Sequence, residues 1–159
     1  MIFKDFNLIF PDRIEKGTVQ IKEGKIVSFH PDESEDEIIH GQGRYLSPGF
    51  IDIHIHGAGN HDTMDGTFEA LDTISKTIAN HGTTGFLPTT MTVSLKDINT
   101  AVEVAKEAQG NVGGASILGV HLEGPFISKM AIGAQNPNFV EKPTLENFKE
   151  MVGQNMDFI

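Results

Sequence analysis

GFIDIHIHG, residues 49–57, is a short run of alternating apolar and polar residues that Pro48 precedes and Gly57 closes. A period of two predicts a strand over 49–55, because successive side chains leave opposite faces of a pleated backbone. Ile51, Ile53 and Ile55 then share one face, and Asp52, His54 and His56 share the other. Three ionisable groups on one face are unusual in a core strand. Two imidazoles two residues apart stand about 7 Å apart at Cα, close enough for both rings to reach one cation. The alternative is a hydrogen-bonded histidine pair, and the strand taken alone leaves both readings open.

Downstream, strand and helix alternate. The spacing of Phe68, Leu71, Ile74 and Ile78 predicts a helix over 67–80 that Gly82 stops, and a second strand follows over 84–88. Ser94 opens a second helix, with Asp97 at the capping-box position and Leu95, Ile98, Ala101, Val102 and Ala105 as its stripe; Gly110 ends it. A third strand is predicted over 115–123, followed by a long irregular segment, a third helix opened by Thr144, and the start of a fourth strand at Met156. Parallel βαβ units follow from this order. Such units build either a small open sheet or the first half of a (β/α)₈ TIM barrel, which typically takes about 250 residues. The point where the chain stops favours the barrel.

On the third strand, Ile117, Gly119, His121 and Glu123 are predicted to share one face, which brings a carboxylate to the same end as the histidine pair. An unpaired buried carboxylate costs several kcal/mol, on the order of the penalty for any uncompensated charge, so Glu123 needs a cation or a cluster of donors. A divalent metal meets that need, and so does a salt bridge to Lys129 or a helix N-terminus. His121 is read either as a group orienting Glu123 or as a packed interior residue. In the loop after the histidine pair, Asp62 and Asp65 are turn and N-cap candidates, with Asp65 capping the first helix. His61 and His81 are not expected to be ligands, His81 being placed to meet a helix dipole, and His30 and His40 are assigned no chemistry.

Upstream, residues 1–46 carry hairpin signals: IFKDFNLIF, then TVQIKEGKIVSF turning at Glu23-Gly24, then EIIHGQGRYL. Val19 and Ile21 before the turn, with Ile26, Val27 and Phe29 after it, are the candidate apolar face. The acidic run 31–37 is expected to be a solvated loop. Over all 159 residues, 12 Lys plus Arg stand against 22 Asp plus Glu, a net charge of −10, which argues against nucleic acid or anionic lipid as a general partner. The absence of cysteine removes disulfides and thiolate ligands, so any metal rests on His and carboxylates. No signal-peptide pattern or membrane-length apolar stretch is present, and the chain is read as cytoplasmic.

LSPGFIDIHIHG, residues 46–57, resembles the signature of the amidohydrolase superfamily, in which a small β-sandwich leads into the first strand of a metal-dependent (β/α)₈ barrel. GVHLEGPFISKMAIGAQNP, residues 119–137, together with GTTGFLPTT, residues 82–90, is similar more narrowly to the N-acetylglucosamine-6-phosphate deacetylases. The resemblance implies a partial β-sandwich over 1–47 and a partial amidohydrolase barrel over 48–159. It implies that Glu123 is the principal metal ligand and that His54 and His56 match members with a second metal position. It also implies that Ala134 and Gln135 lie next to the sugar, Gln135 standing where some members have histidine. The implied reaction is metal-dependent hydrolysis of the acetamide of N-acetylglucosamine 6-phosphate, giving glucosamine 6-phosphate and acetate. The implied cofactor is a divalent metal, zinc first with iron or manganese as alternatives, one or two ions in the complete enzyme.

In that family the general base and further histidine ligands come from later strands, beyond Ile159, and Asp157 is not assigned that role. The chain by itself is therefore expected to be catalytically incomplete, and to self-associate as a homo-oligomer through unpaired edges and apolar faces. Two rivals stand beside this reading. A dihydroorotase-like cyclic amide hydrolase would share the 46–57 motif but not HLEGPF with GAQNP, and a non-catalytic assembly module would bind neither metal nor sugar phosphate.

Overall fold

The computed structural model describes residues 1–31 and 36–159. The expected acidic loop, 31–37, falls largely on residues outside those described. The chain divides into two compact units, Met1–Pro48 and Gly49–Ile159.

In the first unit β1 (Ile2–Ile9) pairs antiparallel with β2 (Ile14–Lys22), and β2 pairs antiparallel with β3 (Lys25–Phe29). Glu23 and Gly24 both take positive φ, 50° and 73°, the conformation that lets a two-residue turn match the twist of its strands. The expected hairpin therefore forms. The next strands, β4 (Ile38–His40) and β5 (Tyr45–Leu46), pair parallel with β1, an order that hairpin signals do not foretell. Phe6, Leu8 and Val19 are the buried cluster of this unit. The predicted apolar face is only half formed: Val19 is buried, whereas Ile26, Val27 and Phe29 of β3 stay exposed. β3 is an edge strand with one neighbour, and the Phe10 ring, 5.3 Å from that of Phe29, covers its side chains only in part.

The second unit is a mixed α/β arrangement built on a parallel three-stranded sheet. β6 (Phe50–Ile55) follows Pro48, then β7 (Gly57–Ala58) and β8 (His61–Asp62) form a small antiparallel pair. Helix α1 (Phe68–Ala79) leads to β9 (Thr83–Pro88), and α2 (Leu95–Ala108) leads to β10 (Ser116–Ile117). The sheet order is β10-β9-β6 with both pairings parallel. Each helix start is set locally. The Thr67 side chain caps Ala70 N, Ser94 caps Asp97 N, and Thr144 caps Asn147 N at the start of α3 (Leu145–Val152). Leu71, Ile74 and Ile78 from α1 and Ile98, Val102 and Ala105 from α2 close over Phe86, Ile117 and Val120, with Met151, Val152 and Phe158 completing the core. Each large apolar side chain buried in this way contributes about 1.5–3 kcal/mol.

Four sequence expectations are corrected here. Phe68, assigned to the buried stripe of α1, is 48% exposed, and Ala70 and Ser75 take up the buried face instead. Asp65 does not cap α1; it closes a capping box with Asp62 around a 3-10 turn, Thr63–Asp65, and Thr67 is the cap. The third strand, predicted over nine residues, is regular only at Ser116–Ile117. Beyond it Leu118 N bonds Phe86 O and His121 N bonds Pro88 O, but Val120 N turns to Phe158 O. Ile117 and Val120, three apart, are both buried, so the strict alternation is lost. A Cβ on Gly119 would sit 2.8 Å from Phe158 O, which explains glycine at that crossing. The fourth strand is replaced by a 3-10 turn, Met156–Phe158, which seats Phe158 in the core.

Candidate metal centre

β6 and the segment after β10 bring three predicted residues together. His54, His56 and Glu123 place one ligand atom each within 4.8 Å of one another. The Glu123 Oε2 atom is 2.8 Å from His54 Nε2 and 3.0 Å from His56 Nε2, and the two Nε2 atoms are 3.4 Å apart. Four ligands at zinc distances of about 2.0–2.2 Å in a tetrahedron lie about 3.3 Å from each other, so the three atoms are spaced as neighbours around one ion would be.

Hydrogen bonds behind the rings set their chemistry. His56 Nδ1 lies 3.1 Å from the Thr89 carbonyl, which accepts only, so Nδ1 carries the proton and Nε2 presents a lone pair. That lone pair faces a carboxylate oxygen. Two acceptors face each other across 3.0 Å, and a cation between them removes the conflict. Thr89, fully buried, is itself fixed: its hydroxyl accepts from Ile55 N at 3.0 Å and donates to Leu87 O at 3.1 Å. His54 is held by its backbone N–H on Asp52 Oδ1, 3.1 Å, and by the His121 ring set edge-on at a centroid distance of 4.6 Å. His121 in turn donates from Nδ1 to Ile53 O at 2.8 Å. It therefore supports His54 rather than orienting Glu123.

Burial pushes the Glu123 carboxyl up, but hydrogen bonds from His54 and Gln135, with the electrostatic pull that His56 and His54 exert when protonated, outweigh it and hold the group below its usual range. It is a carboxylate poised to bind a cation. The ion pairs of Glu123 among the described residues are to the two histidines, and Lys129 is exposed, so the salt-bridge alternative does not form. Gln135 is buried and its amide faces Glu123 Oε1, while Ala134 beside it is exposed. His61 is paired with Asp65 at 3.1 Å, outside the cluster. The supporting roles of Thr89 and Thr92 were not legible in the sequence: their partners lie 33 to 43 residues away, and nothing local marks a threonine whose backbone does the work.

The amidohydrolase family model matches residues 45–158 of this chain. The chain belongs to the amidohydrolase family. It is 36% identical over 159 residues to the N-acetylglucosamine-6-phosphate deacetylase of Bacillus subtilis (strain 168), covering 94% of this chain and 40% of that protein. The solved structure of N-acetylglucosamine-6-phosphate deacetylase from Pasteurella multocida superposes with a TM-score of 0.84 at 26% identity, covering 99% of this chain and 42% of that one. The Thermotoga maritima deacetylase gives 0.74 at 32% identity, over 94% and 39%. The chain spans about 40% of the length of the curated relative from B. subtilis. Among the described residues no helix is long and apolar enough to cross a membrane.

Proposed function

We propose that this amidohydrolase chain supplies the metal-holding part of an N-acetylglucosamine-6-phosphate deacetylase. The observation that carries this is the convergence of His54, His56 and Glu123 on one point in a chain whose relatives bear that name. The first unit is read as part of a small β-sandwich and residues 48–159 as the first half of a (β/α)₈ barrel. His54, His56 and Glu123 would hold the cation. Zinc suits this donor set, and iron or manganese are alternatives, since imidazole and carboxylate accept all three. When bound, the cation polarises the acetamide carbonyl and lowers the pKa of water beside it.

The chain's own residues do the holding and the presenting. Thr89 O fixes the tautomer of His56, His121 and Asp52 fix His54, and Gln135 fixes Glu123. Ala134, exposed on the segment that returns to Glu123, offers its backbone to the sugar. The cluster holds one carboxylate, which is a ligand, so it carries no separate group to take the proton of water. Metal and sugar phosphate binding without turnover is the behaviour expected of this chain alone. A cytoplasmic setting and a homo-oligomeric state complete the reading.

The test is release of free amine from N-acetylglucosamine 6-phosphate, with added zinc or with chelator, beside calorimetric binding of the same sugar and of its unphosphorylated form. Chelator-sensitive binding selective for the phosphorylated sugar is expected, with no amine released. Equal binding of both sugars, or binding indifferent to chelator, would contradict the proposal.

A further inference from the structure

Gln135 is 8% exposed and both ends of its amide are engaged. Its Oε1 accepts from the Thr92 backbone N–H at 2.7 Å. A backbone N–H only donates, so the carbonyl end of the amide is assigned without ambiguity. Nε2 must then donate, and it does so to Glu123 Oε1 at 2.5 Å, with Met91 Sδ at 3.7 Å beside it. The two oxygens of Glu123 are thereby divided: Oε1 is held by the amide and Oε2 faces both histidines. The same hydrogen bond joins the two ends of the irregular segment that leaves Glu123 and returns at Gln135, and Thr92 ties that closure to the loop between β9 and α2. Oε1 thus serves Thr92, and Nε2 serves Glu123 and Met91.

We propose that Gln135 is the positioning residue of the metal centre, presenting Glu123 to the cation through Oε2 alone and coupling metal binding to the order of the 124–135 segment. This rests on the metal-centre reading above. The amide is neutral and its donor is fixed, so the carboxylate keeps its charge while losing the freedom to turn and bind through both oxygens. The coupling follows from linkage: whatever favours the Glu123 orientation favours the Gln135 hydrogen bond, and with it the closure of the segment. Ala134, adjacent to Gln135, is placed by the same closure.

The experiment uses the whole chain with cobalt(II) as the probe, its affinity read by competition with a chromophoric chelator and its visible absorption read directly. Gln135→Met keeps the bulk and removes the hydrogen bonds; Gln135→His restores one acceptor and one donor on a ring of similar reach. Affinity is expected to fall about 10–100-fold in Gln135→Met, the range for groups that orient a ligand. The visible band should change as Glu123 becomes free to bind through both oxygens. Gln135→His should return both readouts close to wild type. Gln135→Asn, one methylene too short to span both partners, gives the same reading should the Met variant fail to fold. Lys129 lies exposed within the segment, so tryptic cleavage after it reports the coupling. Cobalt should slow that cleavage in the wild type and leave it unchanged in Gln135→Met. Wild-type affinity and spectrum in Gln135→Met would overturn the positioning role, and wild-type cleavage indifferent to cobalt would overturn the coupling. A wild-type chain that binds no cobalt would sink the metal centre itself, and the positioning role with it.

Discussion

At Glu123 three partners meet on one carboxyl group: two imidazoles on Oε2 and one amide on Oε1. Removing the charge while keeping the shape, Glu123→Gln, is expected to lower cobalt or zinc affinity by more than about 100-fold, beyond the span for groups that merely orient a ligand; chelator competition measures it. A second residue-level prediction concerns Asp72. The Lys76 ammonium first, and then the Gly113 N–H, hold its carboxyl below the usual range against the opposing effect of burial. A carboxyl with a depressed folded pKa takes up its proton more readily when unfolded, so its stabilisation is present above the ordinary Asp value of about 3.9 and is lost as pH falls through the folded value. Denaturation curves of Asp72→Asn and wild type should therefore differ near pH 6 and converge as the medium is acidified. A gap of constant size across that range would refute the assignment. The convergence of these residues was legible in advance: His54, His56 and Glu123 are singled out by strand alternation and by the resemblance of residues 46–57 and 119–137. The Gln135 amide was not, because its orientation depends on Thr92, 43 residues away.

The helices are the most predictable elements, since each carries its start signal in its own sequence. Ser94 and Thr144 open their helices as read, Thr67 takes the place expected of Asp65, and the buried stripe of α2 matches its expected positions apart from Leu95, which is only partly covered. Strands fare differently because their length depends on partners. Residues 118–123 have extended, alternating sequence, yet Val120 gives its N–H to Phe158, a residue with no sequence tie to it. The carbonyl that accepts this bond belongs to the 3-10 turn Met156–Phe158, which stands where a fourth strand is expected. Phe86 on β9 shows what holds these elements together: fully buried, it lies between the sheet and both helices. Phe86→Ala is expected to cost about 3–5 kcal/mol through lost transfer energy and the cavity left behind, measured by urea denaturation. A loss below 1 kcal/mol would mean that the core closes some other way.

For the molecule as a whole, the exposed apolar residues are as informative as the buried ones. β6 is an edge strand, and Ile51 and Ile53 on it are 62% and 64% exposed. These positions were expected to form a shared apolar face, and register irregularities around Asp52 together with the missing neighbour leave them open. An exposed apolar strand edge invites pairing with another copy. The chain is therefore expected to self-associate in sedimentation experiments, and Ile51→Lys with Ile53→Lys to shift it toward monomer. Unchanged association in the double variant would place the contact elsewhere.

The measurement that bears most directly on the account is the stoichiometry of zinc bound to the purified chain, with Glu123→Gln and His56→Ala alongside. One ion per chain in the wild type, lost in both variants while their circular dichroism is kept, is the predicted result. Zinc bound equally by all three chains, or by none, would contradict it.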